Sequence, residues 1–262
     1  MPNNRRRPSI QSIDRAAAIL RALAAGPQRL GVSELADRLK LARPTVHGLL
    51  QTLVAHGFVE QDAASDKYQL GAGLLQLGYA YLDVNELRAR SLAWADRLAQ
   101  RTDCAVRVGA LHSGSIVVVH HVFRPDSSLQ ILEVGAQLPL HATALGKAVL
   151  AFSEPGLLED LVATPLPRLT KRTLAATALR KDVAAIRETA VATERGEAVL
   201  GEASVAAPIV DQGEHAVGAI GVVGDDERLF PRSMARSLSA AVVEAARGIS
   251  RELGAPYWPA RM

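Results

Sequence analysis

The stretch SELADRLKLARPTVHGLLQTLVAHG, residues 33–57, decides how the first quarter of the chain folds. Ser33 is a good N-cap, and Leu35, Ala36 and Leu39 follow it at the spacing of one helix face. Leu41-Ala42-Arg43 is a brief connection. Pro44 suits the first turn of the next helix, whose apolar face is Val46, Leu49, Leu50 and Leu53, with Gly57 at its end. Two short amphipathic helices across so tight a connection pack at a steep angle, as in a helix-turn-helix. The outward face of the second helix is then Thr45, His47, Gly48, Gln51 and Thr52. Such short polar groups suit base edges in a major groove. A small helical domain with a solvated polar face would give the same pattern.

Outward from that stretch, Ile13, Ala16, Ala17, Leu20 and Leu23 predict a preceding helix stopped by Gly26-Pro27. Phe58–Gln61 and Lys67–Leu70, around a polar turn, predict a two-stranded wing. Residues 1–9 (MPNNRRRPS) read as a disordered basic arm. Residues 1–70 carry 10 Lys/Arg against 6 Asp/Glu, while the remainder carries 20 against 21. The basic excess sits wholly in the first quarter, as expected when one domain meets a polyanion. Arg5, Arg6, Arg7, Arg43 and Lys67 are the candidate phosphate contacts.

The rest is organised differently. Residues 72–85 form an apolar linker helix, which would either pair with a protein partner or pack on the second domain. Leu87–Arg101 is a further helix. Ala105–Leu111, Ser115–Phe123 and Leu129–Val134 predict strands, then Ala142–Phe152 and Asp182–Glu194 predict helices. Two strands, Ala203–Val210 and Ala216–Val223, precede a final helix over Ser233–Leu253. Antiparallel strands with helices on their faces make an α+β domain over residues 86–254, with 255–262 as a tail.

Chemistry-bearing motifs are few. One cysteine, Cys104, excludes an internal disulfide framework and fits a reducing compartment, so a cytoplasmic protein is expected. No apolar run reaches the length of a membrane span. Gly71-Ala72-Gly73 begins like a dinucleotide fingerprint, but Gln76 stands where the third glycine belongs. His120 and His121 are adjacent on a strand and point to opposite faces, which disfavours a shared metal. No catalytic constellation appears, so no enzyme activity, cofactor or metal is expected. The unusual stretch is PLHATALGKA, residues 139–148. Small side chains at Thr143, Ala144, Leu145 and Gly146 crowd a helix start, where backbone N–H groups can meet an anion. Tight helix–sheet packing explains the same residues, and the two readings are compatible.

Three segments make the chain resemble the IclR family of bacterial transcriptional regulators, over about residues 10–254. Residues 42–50 (ARPTVHGLL) resemble the family's recognition helix. Residues 140–148 (LHATALGKA) resemble its effector-domain signature. Arg195-Gly196 with Val205–Ile209 resembles a later block. The resemblance implies an N-terminal winged helix-turn-helix, a helical linker and a C-terminal GAF-like effector-binding domain. It also implies a homodimer or dimer of dimers on pseudo-palindromic double-stranded DNA. The implied ligand contacts fall on Gln130, Leu138, Ala144, Leu145, Ser204, Gly221 and Val223. Two departures stand out: Gly48 replaces a frequent arginine, and the loop Glu197–Ser204 is shorter than usual. The expected function is an effector-responsive repressor of a catabolic operon. Its ligand would be a small organic acid, aromatic acids included, lying between the 143–146 helix start and the strand around Gly221–Val223.

Overall fold

The computed structural model describes residues 10–25, 29–83, 85–126, 130–213, 215–229, 235–256 and 258. The expectations for Arg5, Arg6 and Arg7 lie outside the described residues. The chain divides into two compact units, Met1–Val84 and Asn85–Met262.

The first unit holds α1 (Gln11–Ala25), α2 (Val32–Leu39), α3 (Arg43–Ala55), β1 (Val59–Gln61), β2 (Tyr68–Leu70) and α4 (Ala72–Asp83). Its core gathers Ile19 and Leu23 of α1, Leu35 and Ala36 of α2, Val46, Leu50 and Leu53 of α3, and Val59 and Tyr68 of the wing. Ile13, expected on the apolar face of α1, is exposed, because Ile19 and Leu23 define the buried stripe. The cap of α2 also differs from expectation. Gly31 is the N-cap and Ser33 lies inside the helix. The Gly31 N–H donates to Glu34 Oε2 at 2.6 Å, so a carboxylate three residues on does what Ser33 was expected to do. β1 and β2 pair antiparallel, Val59 opposite Leu70. Gly71 and Gly73 follow because the backbone doubles back on Gly57 there. A Cβ at Gly71 would stand 2.4 Å from the Gly57 carbonyl oxygen.

The second unit begins with α5 (Glu86–Thr102) and the hairpin β3 (Ala105–His112) and β4 (Ser115–Val122). The short β5 (Gln137–Leu138), α6 (Ala144–Phe152), α7 (Pro155–Val162) and α8 (Ala176–Thr189) follow. The unit ends with β6 (Ala192–Arg195), β7 (Glu202–Val210), β8 (Ala216–Asp225), the one-turn α9 (Asp226–Leu229) and α10 (Ala235–Glu252). One antiparallel sheet runs β5-β4-β3-β8-β7-β6. α5 and α10 pack together on one face. There a Cβ at Gly218 would meet Leu87 of α5, and one at Gly248 of α10 would strike the Trp94 ring. α6 covers the other face, its Leu145 and Ala148 in one apolar core with Ala206 and Ala219, and α8 packs on α6.

Two elements depart from the sequence expectation. The strand expected over Leu129–Val134, whose first residue lies outside the described ones, is not formed by the rest: residues 130–136 run irregularly, and β4 pairs instead with Gln137–Leu138. The helix expected over 182–194 spans Ala176–Thr189. It ends because Ala190 turns left-handed (φ 54°), and residues 192–194 enter β6. Among the described residues no helix is long and apolar enough to cross a membrane. No group of three or more His, Cys, Asp or Glu among them could hold a metal ion.

Candidate nucleic-acid interface and ligand cavity

The α3 surface is built by elimination. Val46, Leu50 and Leu53 are buried, which turns Arg43, Pro44, His47 and Gln51 to solvent with Thr45 half-buried beside them. At Gly48 nothing lies within 4 Å of where a Cβ would be, so the helix backbone itself is open to close approach. The Thr52 hydroxyl donates back to the Gly48 carbonyl at 3.1 Å and is spent internally. Gln51 reaches the Tyr68 hydroxyl of the wing at 3.5 Å, a contact too long to hold it firmly.

Lys67 is placed by the fold and not by its strand. Its ammonium lies 3.3 Å from Glu34, the residue that caps α2. The Gly31 N–H first, and Lys67 second, hold the Glu34 carboxyl below its ordinary range. This exposed pair stabilises little, so Lys67 can exchange its partner for a phosphate at small cost.

In the second unit, a cavity of about 500 Å³ opens on the face of the sheet that α6 packs against. Strand register puts its floor together. Arg107 lies opposite His121 on β4 and Gly221 on β8, and Ala105 opposite Val223. On β7, Ser204 lies opposite Val223, and Glu202 opposite Asp225. Arg107 dominates this floor. Its Nε and Nη2 grip both Glu133 oxygens, while Nη1 donates to Glu202 Oε1 at 2.9 Å. The Glu133 N–H donates to His121 Nδ1 at 3.2 Å. That bond needs a neutral imidazole, and burial pushes the His121 pKa down accordingly.

Beside the floor, in the same row of opposed strand residues, a second polar group begins. Buried Glu194 accepts from the Ser204 hydroxyl at 3.1 Å and from the Glu197 N–H at 2.6 Å. Burial pushes its carboxyl pKa up. Lys147 of α6, 1% exposed, donates to Glu197 Oε1 at 2.8 Å and lies as close to Asp182 Oδ2. The Thr173 hydroxyl donates to the Glu197 carbonyl at 2.7 Å. These bonds pin the root of the loop whose tip, Val199–Gly201, frames the cavity.

The expected ligand contacts are scattered by this geometry. Gln130 and Val223 line the cavity, although the Gln130 amide clamps the Arg124 backbone from both sides, at 2.7 and 2.9 Å. Ser204 lies just beneath. Gly221 shares the floor's face, where a Cβ would sit 2.6 Å from the Val205 carbonyl oxygen. Leu138 packs against the apolar core. Thr143, Ala144, Leu145 and Gly146 are buried, and Thr143 Oγ1 caps the Gly146 N–H at 3.1 Å. Sequence reading missed Arg107, His121, Glu133 and Glu202. The one signal was a lone arginine between valines in an otherwise apolar strand.

A neighbouring depression of about 740 Å³ shares Leu200, Gly201 and Asp225 with this cavity. Its arginine Arg172 pairs with Asp226 at 3.1 Å, which Arg195 also holds at 2.7 Å.

Residues 12–63 match the family model described as the IclR helix-turn-helix domain, and residues 79–251 the one described as bacterial transcriptional regulator IclR C-terminal. The chain is similar to the glycerol operon regulatory protein of Streptomyces griseus, 49% identical over 94% of this chain and 98% of that protein. It is similar to a solved transcriptional regulator of Rhodococcus sp. RHA1, with TM-score 0.81, 27% identity, and 94% of this chain and 99% of the other covered. Its fold also matches an IclR homologue of Microbacterium hydrocarbonoxydans complexed with 4-hydroxybenzoate. There the TM-score is 0.78 and the identity 22%, with 93% and 99% covered.

Proposed function

Because the chain belongs to the IclR family of bacterial transcriptional regulators, we propose that it represses a catabolic operon and releases it in response to a small organic acid. It is a DNA-binding regulator of transcription. The 49% identity to glycerol operon regulators, spread over nearly the whole chain, favours genes of glycerol use as the target. The observation that carries the reading is the exposed α3 face. His47 and Gln51 stand clear of the apolar stripe beside an unobstructed Gly48, and Arg43 and Lys67 lie on the same unit to meet phosphates.

In this reading Pro44, Thr45, His47 and Gln51 face the major groove of a pseudo-palindromic operator in the cytoplasm. Two copies act together, because one reading helix covers too few base pairs for specificity in a genome. The ligand acts from the second unit and changes operator affinity only by preferring one arrangement of the assembly. An acid held by the amides at the start of α6 has one of them, Gly146 N–H, already taken by Thr143. The charged floor around Arg107 is the better-equipped place.

Gln51→Ala tests the reading head. It is expected to lose about 1–3 kcal/mol on the operator upstream of the regulated genes and little on random DNA. Fluorescence anisotropy on both duplexes measures this, and equal losses would remove Gln51 from base reading.

A further inference from the structure

Resting on the effector reading above, we propose that Arg107 is the anion-recognition residue of the cavity and that Glu133 is its internal competitor. An acidic ligand binds by taking the guanidinium edge that Glu133 occupies.

The geometry marks that edge. Nε and Nη2 of an arginine form a two-donor fork that fits the two oxygens of a carboxylate or phosphate. Glu133 fills this fork with both its oxygens, whereas Glu202 takes the other side with one good bond at 2.9 Å and one at 3.5 Å. The two carboxylates are also anchored differently. Glu202 begins β7 and is fixed in register against Asp225 of β8. Glu133 sits in the irregular segment 130–136, held to β4 by its own N–H on His121 Nδ1 and, beyond it, by the Gly135 N–H on the Val118 carbonyl and the Val118 N–H on the Ala136 carbonyl. Glu133 can therefore swing away together with its loop backbone, while Glu202, its backbone held in the sheet, has only side-chain rotation to move by.

The rim supplies the second half of the argument. Ile131 is 84% exposed, Leu132 61%, and Val199 and Leu200 55% each. Ile131 belongs to the Glu133 segment and the latter two to the loop rooted on Lys147–Glu197, and all three line the cavity. Large apolar side chains standing in water on loops around a charged floor suit a ligand with one anionic end and an apolar body to cover. Exchange of Glu133 for the ligand also moves the segment that carries Ile131. The same step that recognises the anion thus rearranges the rim.

Isothermal titration of the full chain tests this with two acids, benzoate and glycerol 3-phosphate, each beside its uncharged counterpart, benzamide or glycerol. Glu133→Gln removes the competitor. It is expected to bind at least one of the acids ten or more times tighter than the unmodified chain does, and to bind the neutral compounds no better. The acid that gains identifies carboxylate or phosphate as the preferred group. Arg107→Lys keeps the charge but loses the fork, and is expected to weaken that acid at least tenfold. Arg107→Gln is expected to abolish its binding, provided its melting curve shows it folded. If Glu133→Gln binds neither acid tighter, or gains equally for the neutral compounds, the inference is overturned. Operator affinity measured on the same samples separates the two readings. Intact DNA binding with no gain for either acid sinks the competitor role alone. Loss of specific DNA binding by the unmodified chain sinks the regulator reading.

Discussion

Glu194 shows how one residue can tie a strand to a loop. It bonds Ser204 beneath the cavity and the backbone of Glu197 at the root of the 197–201 loop, and burial raises its pKa above the ordinary 4.5. A carboxyl raised in the folded state contributes stability below its unfolded pKa and loses it as pH rises through the folded value. Glutamine can accept the same N–H through its carbonyl and donate to Ser204 through its amide, with no charge to bury. The melting temperature of Glu194→Gln relative to the unmodified chain is therefore expected to climb from pH 4.5 towards neutrality. Thermal melts across that range measure it, and a difference that stays flat with pH would mean Glu194 carries no buried charge.

At the scale of elements, α6 seats itself on the sheet through close packing at its start. The run of small residues there leaves room for backbone against backbone. A Cβ at Gly146 would stand 2.5 Å from both the Cα and the carbonyl oxygen of Leu140. Backbone atoms cannot step aside as a side chain can, so Gly146→Ala is expected to destabilise the protein by about 2 kcal/mol or more. A urea midpoint equal to that of the unmodified chain would contradict this. The buried ion pairs of Lys147 belong to the very next residue, so α6 also carries the charge that holds the Glu197 loop. How α8 ends follows from similar local geometry. Residues 182–194 read as one helix until Ala190 adopts a left-handed turn, and the next residues find β7 as a strand partner.

At the scale of the whole molecule, the proposed function calls for two copies that present two reading heads. α4 leaves Leu75 and Leu77 exposed, at 61% and 56%, which is costly for a helix that meets only water. Pairing through the Leu75 face of this helix in a dimer would cover Leu75. Leu75→Asp is expected to halve the mass seen by light scattering. It should weaken binding to a two-half-site operator by about 100-fold or more, through loss of the linked second site. Affinity for a single half-site should change little. Normal mass with normal operator affinity would place the interface elsewhere.

Much of the first unit was legible in the sequence because its signals are local. Helix periodicity, Pro44 at a helix start and the turn before Lys67 act over a few residues, and neighbours along the chain are neighbours in space. Its errors were local too, as at α2, where Glu34 outcompeted Ser33 for the cap. The long strands β3, β4, β7 and β8 and the α6 segment were equally visible. What only the tertiary structure decided is the cavity. Arg107 meets Glu133 from 26 residues away and Glu202 from 95. Which side of the sheet each faces depends on strand register, including an irregularity between Val108 and Gly109. The run Leu129–Val134 has a strand's composition, yet β4 pairs with Gln137–Leu138 instead, and this leaves Glu133 free to reach the arginine. Composition records a residue's preference for a state. Pairing depends on the partners that the rest of the chain brings within reach.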